Sequence, residues 1–283
     1  MTALGARAYG DGVRDVTYPP IVWTAKAAFR ALDLTIDVKG AEHVPRHGPV
    51  VMAFNHVSYV DFILGGFAAQ PSGRLVRFMA KRELFTHPLS GPLMRSLHHI
   101  EVDRGDGLQS FAEAVRYLKD GEVVGIFPEA TISRAMELKD FKTGATRLAA
   151  QAGVPLVPAV LWGTQRMFTK DHPRDFSRHQ HIAITVGEPM RPTGVRSAEE
   201  TAQLKAQMTQ LLDETIRRYP DAPHGQWWAP ASYGGTAPTL EQAAALDSAE
   251  KRERAKKYVA QERARREKAA ARSQKGPLRW LKR

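Results

Sequence analysis

His56 and Asp61, in the stretch FNHVSYVD (residues 54–61), are the side chains best suited to chemistry. A carboxylate bonded to one ring nitrogen of a histidine fixes the tautomer and makes the other nitrogen a better base toward a hydroxyl. Spacing decides whether the two can meet. On one continuous helix, five residues is about 140° around the axis, so they would face apart. They meet only if His56 lies before a helix and the chain turns between them. Ser58-Tyr59-Val60-Asp61 has the S/T-x-x-D form of a capping box, which predicts Ser58 as the N-cap and Asp61 in the first turn. His56 is then outside the helix and able to fold back. The same residues also fit a plain helix start with a loop histidine, and spacing alone does not separate the two. Ser58 is the in-chain rival as nucleophile, but no G-x-S-x-G elbow occurs. The nucleophile expected is therefore a substrate's own hydroxyl.

The elements that must position this pair read as an α/β domain with a mixed, largely parallel sheet flanked by helices. Apolar or β-branched runs at 34–38, 50–54, 76–80, 100–102, 123–127, 156–161 and 182–186 predict strands. Leu108, Phe111, Ala112, Val115 and Leu118 form a helical stripe, stopped by Gly121. Helices are also predicted over 143–151 and 197–218. Ligands of such sheets bind beyond the carboxyl ends of the strands. Three polar clusters sit there: Asn55-His56, Asp103-Arg104-Gly105 and Glu129-Ala130-Thr131. They converge if their strands are parallel neighbours.

The chain has 283 residues and no cysteine, which excludes disulfides, cysteine nucleophiles and cysteine-held metals. Its net charge of +11 is unevenly placed. From residue 250 on, 14 Lys+Arg stand against 4 Asp+Glu, whereas the other 249 residues hold 27 against 26. Four regions follow: an extension at 1–20, a main domain at 21–222, a Pro/Gly/Trp-rich loop at 223–239 and a basic helical tail at 240–283. No signal peptide is seen, and no run reaches the roughly 20 apolar residues of a membrane span. Residues 21–34 predict an amphipathic helix carrying Ile21, Trp23, Ala25, Ala28, Phe29 and Leu32 on one face. It suits either a membrane surface or the chain's own domain. The tail suits an anionic partner, a membrane surface or nucleic acid.

The blocks around these residues resemble the glycerolipid acyltransferase family, whose members include 1-acylglycerol-3-phosphate and glycerol-3-phosphate acyltransferases. Asn55-His56-x-Ser58-x-x-Asp61 resembles its first signature, Ala80-Lys81-Arg82-Glu83-Leu84 its A-K-x-E-L stretch, and Ile100-Glu101-Val102-Asp103-Arg104 its second block. Phe127-Pro128-Glu129-Ala130-Thr131-Ile132-Ser133 resembles F-P-E-G-T-R-S. Phe141-Lys142-Thr143-Gly144 and Val154-Pro155-Leu156-Val157-Pro158 follow in order. The resemblance implies the glycerolipid acyltransferase fold and acyl transfer from acyl-CoA or acyl carrier protein to a lysophospholipid-type acceptor, with no metal or cofactor. It implies His56 as general base and Asp61 as its orienting acid. It places Asn55, Ser58, Lys81, Arg104, Glu129, Thr131 and Lys142 among the substrate-binding residues. The tetrahedral oxyanion needs donors, expected from backbone amides nearby.

One position departs from the pattern: Ile132 stands where the family has an arginine associated with the acceptor's phosphate. Either Arg134, Lys139 or Lys142 substitutes, or the acceptor is a different lipid or glycolipid. The resemblance also implies a peripheral place on the cytoplasmic side of the cell membrane. The helix at 21–34, Trp227-Trp228 and the tail with Leu278, Trp280 and Leu281 would touch anionic lipid, each basic residue adding about 1 kcal/mol at most. The rival classes are a non-catalytic lipid binder, which has no need of a base, and a nucleic-acid binder. The tail has few aromatics for base stacking, which argues against nucleic acid.

Overall fold

The computed structural model describes residues 18–273 except Leu89, Arg104 and Asp106; the extension before residue 18 and the terminal Leu278, Trp280 and Leu281 lie outside the described residues. The order of elements begins α1 (Tyr18–Ala31), β1 (Thr35–Lys39), β2 (Val50–Phe54), α2 (Asp61–Gly65), β3 (Val76–Lys81), α3 (Arg82–Thr86), α4 (Ser90–Ser96) and β4 (Ile100–Val102). It continues α5 (Gly107–Lys119), β5 (Val123–Ile126), α6 (Gly144–Ala152), β6 (Leu156–Trp162), α7 (Thr164–Met167), β7 (His181–Val186), α8 (Ser197–Arg217) and α9 (Leu240–Ser273). Residues to Ala237 form one compact unit, and those from Pro238 form a second.

Seven strands make one sheet in the order β1-β7-β6-β2-β5-β3-β4. All neighbours are parallel except β6 and β7. β1 and β7 therefore run against the other five. β2 and β6 are buried along their whole length, as strands covered on both faces must be, and their sequences are near-continuous apolar runs. Alternation then divides the core. Val51 and Ala53 of β2 join one cluster with Leu148 of α6 and Leu204 and Met208 of α8. Val50, Met52 and Phe54 join the other, with Leu64, Val76 and Phe78. Gly125 of β5 is a packing requirement: a Cβ there would lie 2.6 Å from Val76 Cγ1 and 2.7 Å from the Phe78 ring.

Three expectations are corrected. The first helix ends at Ala31, and the chain turns through Asp33 (φ 49°) before Thr35 enters the sheet. Ile21, Ala25, Phe29 and Leu32 share a half-buried face, with Phe29 on Phe67 at a ring-centroid distance of 5.6 Å, but Ala28 is exposed and Trp23 is 70% exposed. Trp228 does not face a membrane. It is 4% exposed, edge-on to Trp162 and Tyr219, with the Arg166 guanidinium 5.0 Å above it. Trp227 stacks on His172 at 3.9 Å, so both indoles hold the loop after α8 to its own unit. Among the described residues, no helix is long and apolar enough to cross a membrane.

Candidate active site

The chain leaves β2 at Phe54 in the middle of the sheet, and the next seven residues are arranged around one carboxylate. Asn55 is wholly buried and closes two bonds to β6. Its Nδ2 donates to Leu161 O at 3.0 Å, and its Oδ1 accepts from the Leu161 amide at 2.7 Å. That fixes the direction in which the chain exits. His56 follows, 22% exposed, with Nδ1 at 2.9 Å from Asp61 Oδ2. A carboxylate only accepts, so Nδ1 carries the proton and Nε2 is the basic nitrogen. The imidazole lies on Phe127, with centroids 4.3 Å apart and planes at 25°.

Asp61 is the hub. Oδ2 also accepts from the amides of Val57 at 2.8 Å and Ser58 at 2.7 Å, and Oδ1 accepts from Thr164 Oγ1 at 2.6 Å. With no solvent exposure and four donors aimed at it, this side chain is arranged as an acceptor-only carboxylate. It opens α2 from the first helical position, and His56 folds back from outside that helix. The N-cap differs from expectation. It is Val60, and no side chain caps the helix. Ser58 Oγ donates instead to Phe168 O at 2.6 Å and accepts from the Val60 amide at 3.2 Å. Only the acid's half of the capping box forms, through the Ser58 amide.

Glu129, just past the β5 end and Pro128, is buried as well. Its Oε1 accepts from the His56 amide at 2.8 Å and its Oε2 from the Lys139 amide at 3.1 Å. Burial pushes its carboxyl up to about 7, against the pull of these two amides and the Lys139 charge; nearby Asp61 adds to the rise. The Ser133 amide donates to His56 O at 2.8 Å, which ties the turn after β5 to the residue that carries the imidazole. Within that turn Ala130 has a left-handed backbone (φ 60°), which costs an alanine about 1 kcal/mol more than a glycine.

Asn55, Ser58 and Glu129, expected among the substrate-binding set, all make side-chain bonds within the protein: Asn55 to Leu161, Ser58 to Phe168 and Val60, and Glu129 to the amides of His56 and Lys139. Thr131 is half-buried and accepts a hydrogen bond from Lys139 Nζ. Lys81 ends β3, half-buried and in register with Val102, and Lys142 is exposed. Arg104 lies outside the described residues; beside it Asp103 pairs with Arg82 at 2.5 Å. Of the three strand-end clusters, those of β2 and β5 are adjacent and bonded, while β3 separates β4 from them. The amides of His56, Val57 and Ser58 are committed to Glu129 and Asp61, so they do not serve as oxyanion donors in this arrangement. A cleft of about 350 Å³ at the β4 edge has Arg82, Arg95, Glu101 and Glu113 in its walls but neither His56 nor Asp61. Its position sets it apart from the dyad. Local sequence patterns do not place Thr164 at the site, because it stands 103 positions from the acid it serves.

A family model described as Acyltransferase matches residues 35–162. The 1-acyl-sn-glycerol-3-phosphate acyltransferase of Bacillus subtilis is 30% identical over 183 residues, 64% of this chain and 86% of that protein. The human 1-acyl-sn-glycerol-3-phosphate acyltransferase alpha is 36% identical over 155 residues, 53% of this chain, and that of Limnanthes douglasii 36% over 141, 48% of this chain. The chain spans about half the length of these two, 54% and 48%. In structure it is similar to the crystal structure of the 1-acyl-sn-glycerophosphate (LPA) acyltransferase PlsC from Thermotoga maritima. The TM-score is 0.60 with 27% identity, covering 72% of this chain and 81% of that one.

Proposed function

The chain belongs to the acyltransferase family, as an O-acyltransferase, and from that premise we propose that it acylates the free hydroxyl of a 1-acylglycerol 3-phosphate for phospholipid synthesis. The donor in this reading is a thioester, acyl-CoA or acyl-acyl carrier protein, and no metal or cofactor takes part. The observation that carries the reading is the 2.9 Å contact between His56 Nδ1 and a fully buried Asp61, which leaves Nε2 to face substrate.

In the proposed reaction Nε2 removes the acceptor's hydroxyl proton as the oxygen attacks the thioester carbonyl. The imidazolium that forms is stabilised by Asp61 on one side and by the face of Phe127 beneath it. Collapse of the tetrahedral intermediate breaks the carbon–sulfur bond, and the imidazolium returns the proton to the departing thiolate. The proton count closes, and His56 is ready for another turn.

The lipid acceptor lies in a bilayer, so this reading places the protein peripherally on an anionic membrane surface on the cytoplasmic side. The exposed Trp23 and the basic helix α9 support it. A different lipid or glycolipid acceptor is favoured by one observation: Ile132 is buried and brings no charge to a phosphate. Thiol release from palmitoyl-CoA decides. It is expected to depend on 1-acylglycerol 3-phosphate and to fall at least roughly 1,000-fold in His56→Ala. Release that ignores the acceptor, or survives in the variant, would overturn the reading.

A further inference from the structure

We propose that Thr164 and Gln165 are positioning residues for the dyad, and that the loop after α8 acts on catalysis through them; this rests on His56 being the base of the acyl transfer proposed above. Oδ2 of Asp61 collects the His56 imidazole and the amides of Val57 and Ser58, all from the five residues before it. Three donors on one oxygen fix its place but leave the plane of the carboxylate to the other oxygen. Oδ1 has one donor among the described residues, Thr164 Oγ1 at 2.6 Å. The plane sets how squarely Oδ2 meets the Nδ1 proton, because a hydrogen prefers the plane of the carboxylate that accepts it. Thr164 is wholly buried, so it aims the acid at the base without touching substrate.

The turn that carries Thr164 is itself held. Gly163, between β6 and α7, has φ 95°, and a Cβ there would lie 2.2 Å from His181 O and 2.8 Å from the Tyr219 hydroxyl. Its amide donates to Oε1 of the wholly buried Gln165 at 2.8 Å, and Gln165 Nε2 donates to Trp228 O at 3.2 Å. Trp228 is fixed in turn against Trp162 and Tyr219. A run of hydrogen bonds thus leads from the loop after α8 through Gln165 and the Gly163–Thr164 backbone to Asp61 and His56.

Thr215 supplies the contrast. It is as deeply buried, but its hydroxyl donates to Leu211 O of its own helix and meets Thr185 on β7. It braces helix against sheet and nothing in the dyad.

The test measures thiol release from palmitoyl-CoA with 1-oleoylglycerol 3-phosphate, beside urea midpoints, in wild type and four variants. Thr164→Val keeps the branched shape without the donor, and its kcat is expected to fall roughly 10- to 100-fold with KM within about twofold. Thr164→Ser keeps the donor and should stay within about threefold of wild type. Gln165→Met, which frees the turn, should lie between the two. Thr215→Val should lose stability but keep kcat within about twofold. Proton NMR of the resting protein reads the dyad without turnover. The His56 Nδ1 proton, identified by its loss in His56→Ala, should move upfield and broaden in Thr164→Val and return in Thr164→Ser. Equal falls in Thr164→Val and Thr215→Val would show a structural role, and an unchanged kcat and resonance in Thr164→Val would show none; either overturns the proposal. If the wild type transfers no acyl group, the reading of His56 as base fails, and the resonance still decides whether Thr164 positions the pair.

Discussion

Asp61 and helix α9 are both charged regions, and they are built in opposite ways. Asp61 is one buried carboxylate with four donors, including Thr164 beyond β6. Helix α9 is a 34-residue rod whose charged side chains meet one another along its own surface. Arg254 pairs with Glu250, Lys256 with Glu253 and Arg263 with Glu267, all three or four residues apart. At Asp61 each partner is irreplaceable, because a buried donor left unpaired has no water to turn to. On α9 any one charge can be lost at little cost, because water and salt already screen it. The contrast separates a group held by fixed geometry from a region whose property is summed charge.

The first way to break the contrast is Asp61→Asn. The amide keeps the shape: with its nitrogen turned to Thr164, whose hydroxyl can accept, its oxygen still takes the two amides and the imidazole proton. What is lost is the negative charge that stabilises the imidazolium, and kcat is expected to fall roughly 10²- to 10⁴-fold. A loss under about tenfold at saturating acceptor would mean that the hub serves the fold alone. The folding cost should be about 1–3 kcal/mol, read from denaturant midpoints.

Glu129 sharpens the comparison, since it is a buried carboxylate with a protonation equilibrium of its own. Its carboxyl is raised from 4.5 to about 7. Between those values the folded protein holds a proton that the unfolded chain has released. Stability from this group is therefore full below about pH 4.5 and is lost as pH rises through 7. The span is on the order of 3 kcal/mol. Urea unfolding at pH 5 and pH 8 measures it. Wild type should lose more stability between the two than Glu129→Gln, and equal losses would mean that the two amides outweigh burial.

Local pattern was enough where an element carries its own signal. The run at 50–54 is a strand with those bounds because its apolar stretch ends abruptly in Asn55, and the alternating Ile100-Glu101-Val102 is a strand that ends at Asp103. Gly121 and Gly153 stop α5 and α6 in left-handed backbone, as a residue without Cβ can. The short helices α3 and α4 carry too few residues for a period to emerge, and Pro88 and Gly91 obscure them further. At the site, the five-residue spacing of His56 and Asp61 posed the right question, and the turn between them is where the histidine folds back. Nothing near residue 164 announced that a threonine there would reach Asp61, because that contact depends on β6 lying beside β2. Strand order is a property of long-range pairing, and it decided which polar clusters met.

Helix α9 offers the smallest effect per residue and the most direct contrast. It lacks an apolar stripe and carries mostly charged side chains, and an anionic bilayer is its partner in the proposed reading. Sedimentation with vesicles containing phosphatidylglycerol should show binding that falls steeply as salt rises from roughly 0.05 to roughly 0.5 M, a range over which the screening length shrinks about threefold. Arg265→Gln or Arg266→Gln should each weaken binding by at most about fivefold, and the two together by roughly the product, because separately solvated charges act additively. Turnover of a water-soluble short-chain acceptor should not change in either variant. A single substitution that abolished vesicle binding, or that reduced turnover of the soluble acceptor, would mean that α9 works through a fitted contact, as Asp61 does, and the contrast between the two regions would fail.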